Sequence, residues 1–206
     1  MAPLSLPHKI AVLLGGLYLC ARYSGNWGIF EYLLKPATTV LISIPTLSYE
    51  NRRIFSGLMF STIGDALLMF PYDEFFILGL LAFLVAHILY AWDFTLRQSA
   101  ARSSGVSWTS VPFGIFASTM MTLLMPGVAK EGIVVQIGVV VYILAIAFMS
   151  YKATLTGKSL LVLGTILFCI SDSILAWDRF VQSFGWSEYA VMITYYSAQL
   201  CIAMSF

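Results

Sequence analysis

The chain has 206 residues, of which 60% are hydrophobic and only 10% charged, with a mean hydropathy of +0.88. Soluble domains carry roughly 25% charged residues, so the composition points to a polytopic membrane protein. A formal net charge of +1, with no Lys/Arg cluster, leaves no basic face and sets nucleic-acid binding aside.

Apolar runs of roughly 20 residues, enough to cross about 30 Å of hydrocarbon, fall near 8–24, 27–47, 52–71, 75–96, 107–126, 131–151, 158–178 and 186–206. They predict an all-α transmembrane bundle of eight helices, one integral membrane domain over 1–206. The first run is the weakest, because Gly15, Gly16 and Arg22 shorten it, so seven spans is the fallback count. Lys9 followed by Ile10 to Cys20 is similar to a signal peptide, but the bulky Leu19 before Cys20 does not suit a lipoprotein cleavage box, and the run is taken as a first helix. Cys20, Cys169 and Cys201 lie in apolar runs without metal-ligand spacing and are expected to be small core residues outside any disulfide framework. Trp27, Trp92, Trp177 and Trp186 fall near run ends, where indole rings anchor at the interface. Asp73, Glu74, Asp93 and Asp178 also lie near run ends and are expected to be solvated.

Charges in the connections set the orientation. Lys9, Arg52, Arg53, Arg97, Arg102, Lys152 and Lys158 gather on one side, against Arg22, Lys130 and Arg179 on the other. Both termini are therefore predicted on the cytoplasmic side, which an even number of spans requires. A compact chain of this kind suits a bacterial inner membrane better than the endoplasmic reticulum. The longest connection is a short polar loop, Arg97 to Ser107.

Two carboxylates interrupt the apolar runs: Asp65 in Phe60-Ser-Thr-Ile-Gly-Asp-Ala-Leu-Leu-Met69 and Asp172 in Phe168-Cys-Ile-Ser-Asp-Ser-Ile-Leu175. An ionised carboxylate at the centre of a bilayer costs roughly 2.5 to 3.5 kcal/mol on insertion scales, so a function is expected of each. Aligning the two acids sets Gly57 with Gly164, Gly64 with Ser171, Ala66 with Ser173 and Leu68 with Leu175. The third and seventh helices then correspond, as in a parallel 4+4 internal repeat.

At about 1.5 Å per residue, both aspartates are expected some six residues from the non-cytoplasmic ends of their helices. Lys35, next to the helix-loosening Pro36, enters from the same side, as do Tyr195, Tyr196 and Gln199; His87 and Tyr90 lie deeper. Each supporting residue has a plainer role open to it. Lys35 can snorkel to the interface, His87 and Tyr90 can bridge helices, and the tyrosines can pack as aromatics. Gly57, Ser61 and Gly64 are small neighbours that let backbones approach the first acid.

The segments Phe60 to Leu68 with Gly64-Asp65, Leu80 to His87 with Tyr90, Ser171-Asp172, Met192 to Gln199 and Lys35-Pro36 together resemble the YhhN-type lysoplasmalogenases. That resemblance implies a membrane hydrolase that cleaves the vinyl ether of a lysoplasmalogen, giving a fatty aldehyde and glycerophosphoethanolamine or glycerophosphocholine. It implies Asp65 and Asp172 as the catalytic pair, one as general acid and one ionised, as paired carboxylates divide the work in glycosidases. Lys35, His87, Tyr90, Tyr195, Tyr196 and Gln199 are then binding or supporting residues. The carboxyl nearer Lys35 is expected to be the ionised one, because an adjacent cation favours the charged form, although Lys35 could instead take the substrate phosphate.

No cofactor or metal is expected: His8 and His87 are too few for a histidine-rich zinc site, and there is no Gly-x-Ser-x-Gly elbow. The partners expected are the lysophospholipid and the bilayer. Intramembrane carboxylates, parallel repeats and a Lys-Pro break equally describe a proton-coupled transporter of small molecules or lipids, the alternative from a different class.

Overall fold

The structure is a computed structural model and describes residues 4–25, 28–98 and 108–206. Among these residues there are eight α-helices and no strand: α1 (Leu6–Ser24), α2 (Ile29–Ser43), α3 (Arg52–Leu67), α4 (Asp73–Leu96), α5 (Val111–Val128), α6 (Ile133–Leu155), α7 (Ser159–Phe180) and α8 (Ser187–Ala203). Trp27, Arg102 and most of the Arg97 to Ser107 loop lie outside the described residues.

Proline and glycine punctuate the helices where their backbone chemistry demands. Gly25 ends α1 at φ +67°, a left-handed conformation that glycine adopts without a Cβ penalty, and its N–H closes onto the Ala21 carbonyl at 3.1 Å. Before Pro45, α2 gives way to a 3-10 turn at Ile44–Thr46. The third helix also stops early, at Leu67 rather than the expected residue 71. Pro71 disfavours helical geometry at the residue before it, and the N–H groups of Leu68, Met69 and Phe70 close a turn onto the carbonyls of Gly64, Ala66 and Leu67. Asp65 is consequently in the last turn of α3, not six residues inside it.

Four stretches are long and apolar enough to cross a membrane: Asp73–Leu96, Trp108–Glu131, Ile133–Leu155 and Ser159–Phe180. The shorter helices α2, α3 and α8 have 15, 16 and 17 residues. These three carry Lys35, Asp65 and Gln199, and each is shorter than the roughly 20 residues of a full span. On three of those four stretches Leu81, Ile115 and Ile137 are exposed. On spanning helices, outward apolar side chains are the face that lipid tails cover.

The chain divides into two compact units, one reaching to Leu89 and one from Tyr90 to Ser205. In the first unit α1 packs on α2 and α2 on α3, around Tyr18, Ile42, Ile54 and Leu58, each at most 1% exposed. The backbone of α3 is approached closely at Gly64, where an added Cβ would meet the Phe83 ring at 2.5 to 2.9 Å. In the second unit α5, α6 and α7 pack on one another around Ala117, Leu124, Val139, Ile143 and Ala147. At Gly127 an added Cβ would run into the Phe180 carbonyl, so the end of α5 touches the end of α7 backbone to backbone.

The α7–α8 pair is equally close. Gly164 faces the Ala198 carbonyl and Cys201, and Ser171 Oγ donates to the Val191 carbonyl at 3.1 Å. The two helices are antiparallel, with Val191 level with Ser171 and residues near Ala198 level with Gly164. Lys158 Nζ donates to the Ser205 carbonyl at 2.6 Å, satisfying a carbonyl just past the C-terminal end of α8. Asp93, expected to be solvated, is instead 1% exposed. Arg97 one turn later donates Nε to its Oδ2 at 2.6 Å, which removes the need for water.

Candidate functional site

In the first unit the polar side chains come from α2 and α3. Thr39 and Lys35 are four residues apart on α2 and share a face, and both are buried. Thr39 Oγ1 donates to Asp65 Oδ2 at 2.6 Å, the short distance of a hydroxyl on a carboxylate. Asp65 and Thr39 are both at most 1% exposed. Lys35 thus stands one turn from the residue that binds the acid, with Pro36 inside the same turn of α2. One turn before Asp65 on α3 is the buried Ser61. His87, on α4, is fully buried too.

In the second unit Asp172, partly buried on α7, accepts a hydrogen bond from Tyr142 Oη of α6 at 2.6 Å. Ser173 Oγ back-bonds to the Cys169 carbonyl at 2.6 Å, and Ser150 and Cys169 lie 3.2 Å apart. Tyr195 stands edge-on to Phe168, with ring centroids 5.6 Å apart, and is tilted against Tyr196 at the same distance.

Gln199 does not join Asp172. With Val191 level with Ser171, Gln199 is eight residues further along α8, about 12 Å at 1.5 Å per residue. Its Oε1 instead accepts from Tyr90 Oη at 3.0 Å. Within the second unit Tyr142 thus pairs with Asp172, and Tyr90 with Gln199. Among the described residues no three His, Cys, Asp or Glu side chains gather to hold a metal ion.

Residues 30–206 match the YhhN family along most of the chain. The chain belongs to the YhhN family. It is 34% identical over 188 residues to the Lysoplasmalogenase TMEM86A of Bos taurus, a match covering 86% of this chain and 72% of that protein. The Lysoplasmalogenase TMEM86B of Rattus norvegicus is 33% identical over 145 residues, 70% of this chain and 57% of the rat protein. A Lysoplasmalogenase of Mycobacterium tuberculosis is 28% identical over 180 residues, 84% of this chain and 68% of its own length. No solved structure matches. Long apolar helices and membership of this family make the chain an integral membrane protein.

Two residues of this YhhN chain that bind the carboxyls, Thr39 and Tyr142, escaped the sequence reading. Each had a faint signal. Thr39 is four residues after Lys35, on the face that Lys35 already marked, and Tyr142 is the one hydroxyl inside Ile137-Gly-Val-Val-Val-Tyr-Ile-Leu-Ala-Ile-Ala147. A threonine in a membrane helix usually back-bonds to its own backbone, as Thr38 does to the Leu34 carbonyl at 2.8 Å. Sequence alone does not tell such a residue from one that reaches across.

Proposed function

We propose that this YhhN protein hydrolyses the vinyl ether bond of a lysoplasmalogen, releasing a fatty aldehyde and glycerophosphoethanolamine or glycerophosphocholine, with Asp172 as general acid and Asp65 as the ionised partner. The observation that carries this reading is that Asp65 in the first unit and Asp172 in the second each accept a hydrogen bond from a hydroxyl of the preceding helix, Thr39 and Tyr142. The relatives reported above are named as lysoplasmalogenases, and the transporter alternative gains no support from them.

Vinyl-ether hydrolysis needs what two such carboxyls supply. Asp172 gives its proton to the alkene carbon remote from the ether oxygen, and the neighbouring carbon becomes an oxocarbenium ion. Water adds to that carbon while Asp65 takes its proton. The hemiacetal then collapses: Asp172 takes back a proton from its hydroxyl, the C–O bond to glycerol breaks as Asp65 gives its proton to the glycerol oxygen, and the aldehyde leaves with both carboxyls in their starting states. Asp65 is the partner assigned the negative charge because Lys35 lies on the face of α2 from which Thr39 binds it. Tyr142 donates to Oδ2 of Asp172, so the transferable proton belongs on Oδ1. His87, Tyr90, Tyr195, Tyr196 and Gln199 support the bundle or the lipid around this chemistry.

The same reading includes eight spans, both termini on the cytoplasmic side and a single membrane domain built as two parallel four-helix halves. Its support is the acid-hydroxyl pairing: Thr39 of α2 with Asp65 of α3 corresponds to Tyr142 of α6 with Asp172 of α7, helix for helix. The test is aldehyde release by purified protein in detergent, where no gradient can drive transport. Wild type is expected to release aldehyde from lysoplasmalogen, and Asp65→Asn and Asp172→Asn to lose at least about a hundredfold in rate, the scale of general acid-base contributions. Full activity in both variants would sink the two-carboxylate mechanism. Equal cleavage of the ester lysolipid by wild type would redirect the assignment to a general lysophospholipase.

A further inference from the structure

Hydroxyls on these helices have a habitual partner. Thr38, Thr62, Thr95, Ser173 and Thr194 all donate to the carbonyl four residues earlier, at 2.6 to 3.0 Å. Such back-bonding is how a hydroxyl is satisfied in a membrane helix without a second element. Ser61 departs from the pattern. Its side chain is 0% exposed, yet its Oγ makes no hydrogen bond among the described residues, either to the Gly57 carbonyl four residues earlier or across to another helix. A buried hydroxyl left so costs about 1 to 3 kcal/mol, and its neighbour Thr62 shows that the local helix offers back-bonding.

The position of Ser61 supplies a reason. It is four residues before Asp65, on the same face of α3, where side chains are separated by about 5 to 6 Å at Cβ. The two side chains make no direct hydrogen bond, and one water can join oxygens up to about 5.6 Å apart, since each of its two hydrogen bonds spans about 2.8 Å. Gly57 adds no side chain to crowd this face. The Phe83 ring, lying on Gly64, walls off the level of the acid with an apolar surface. Such a wall offers a small polar molecule no competing partner.

We propose that Ser61 holds the hydrolytic water against Asp65, as a water-binding residue of the site. The inference rests on the reading of Asp65 as the carboxylate that deprotonates water, and extends it by naming the group that orients the nucleophile. Ser61 Oγ accepts one hydrogen of the water or donates to its oxygen, and Asp65 accepts the other hydrogen. When the oxygen adds to the oxocarbenium carbon, that second hydrogen passes to the carboxylate. No other reactant is consumed.

The test is nucleophile partition, which is read per turnover and so does not depend on how much of a variant folds. Methanol added to the assay competes with water for the oxocarbenium ion: its oxygen bonds to the same carbon, its proton goes to Asp65, and a stable mixed acetal accumulates in place of aldehyde. With the water held by Ser61, wild type yields little acetal at a modest methanol concentration. In Ser61→Ala the ratio of acetal to aldehyde is expected to rise about three- to tenfold, with kcat reduced and KM within about twofold. Ser61→Cys, close in volume and only a weak donor, is expected to fall between the two and to provide a readable ratio should the alanine variant be too slow. An unchanged product ratio in both variants overturns the inference while leaving the aldehyde-releasing activity in place. No aldehyde from wild type on lysoplasmalogen overturns the reading of Asp65, and the inference with it.

Discussion

Tyr142→Phe is the most informative single change, because it deletes one oxygen and keeps the ring that packs between α6 and α7. Its Oη to Asp172 Oδ2 distance is 2.6 Å, at the short end for a hydroxyl on a carboxyl oxygen. A hydrogen bond between neutral groups contributes about 1 kcal/mol net, whereas one to a charged group contributes about 1.5 to 3 kcal/mol. If Asp172 begins protonated and becomes a carboxylate as the alkene carbon accepts its proton, the Tyr142 bond strengthens along the reaction by about 0.5 to 2 kcal/mol. At 1.36 kcal/mol per decade, kcat should fall roughly 2- to 30-fold. Because the bond strengthens only as charge develops, KM should stay nearly constant. The assay is steady-state aldehyde release from lysoplasmalogen in detergent, with the thermal midpoint of the variant confirming the fold. A kcat within twofold of wild type would refute the assignment of Asp172 as the proton donor. A rise in KM alone would make Tyr142 a residue that binds substrate.

Three further outcomes follow from the packing. Gly127→Ala should destabilise the protein more than Gly64→Ala, because the first Cβ meets the Phe180 backbone carbonyl and the second a phenyl ring that can tilt aside; thermal midpoints in detergent check the order. Gly64→Ala should nonetheless reduce aldehyde release, since the displaced Phe83 ring lies one residue from Asp65, and full activity would count against a wall at that position. Tyr90→Phe and Gln199→Leu should be coupled by about 0.6 to 1.7 kcal/mol in a double-mutant cycle on stability, the range for hydrogen bonds between membrane helices. Strict additivity would remove that pair from the bundle's structural supports.

Much of this arrangement was legible because lipid and apolar surface punish a charged residue. Asp65 and Asp172 stand out as acids in apolar runs whatever their neighbours are, and their helices start within a residue of where the runs predicted. Asp93 shows the limit of that logic. Its place near a helix end suggested water, but Arg97 one turn on supplies the counter-charge, and the carboxylate is buried. Depth counting failed for a related reason. Residue numbers along α8 placed Gln199 with the acids, whereas the Ser171 to Val191 bond sets the register of α8 on α7 and moves Gln199 about 12 Å away, onto Tyr90. Register between helices depends on where glycines such as Gly164 allow contact, and one helix's pattern does not contain it.

By itself the sequence determined that the chain is helical and membrane-embedded, and it singled out two carboxyls in apolar runs as the candidate site. Each follows from local terms: the hydropathy of a run, the cost of a buried charge, the motifs shared with a family. Only the tertiary structure decided which hydroxyl binds each acid, since Thr39 and Tyr142 reach theirs across 26 and 30 residues of chain. It also decided that Ser61 keeps its hydroxyl off its own helix. Those choices depend on distances of a few tenths of an ångström between helices, which close packing sets and the order of residues along a single helix does not.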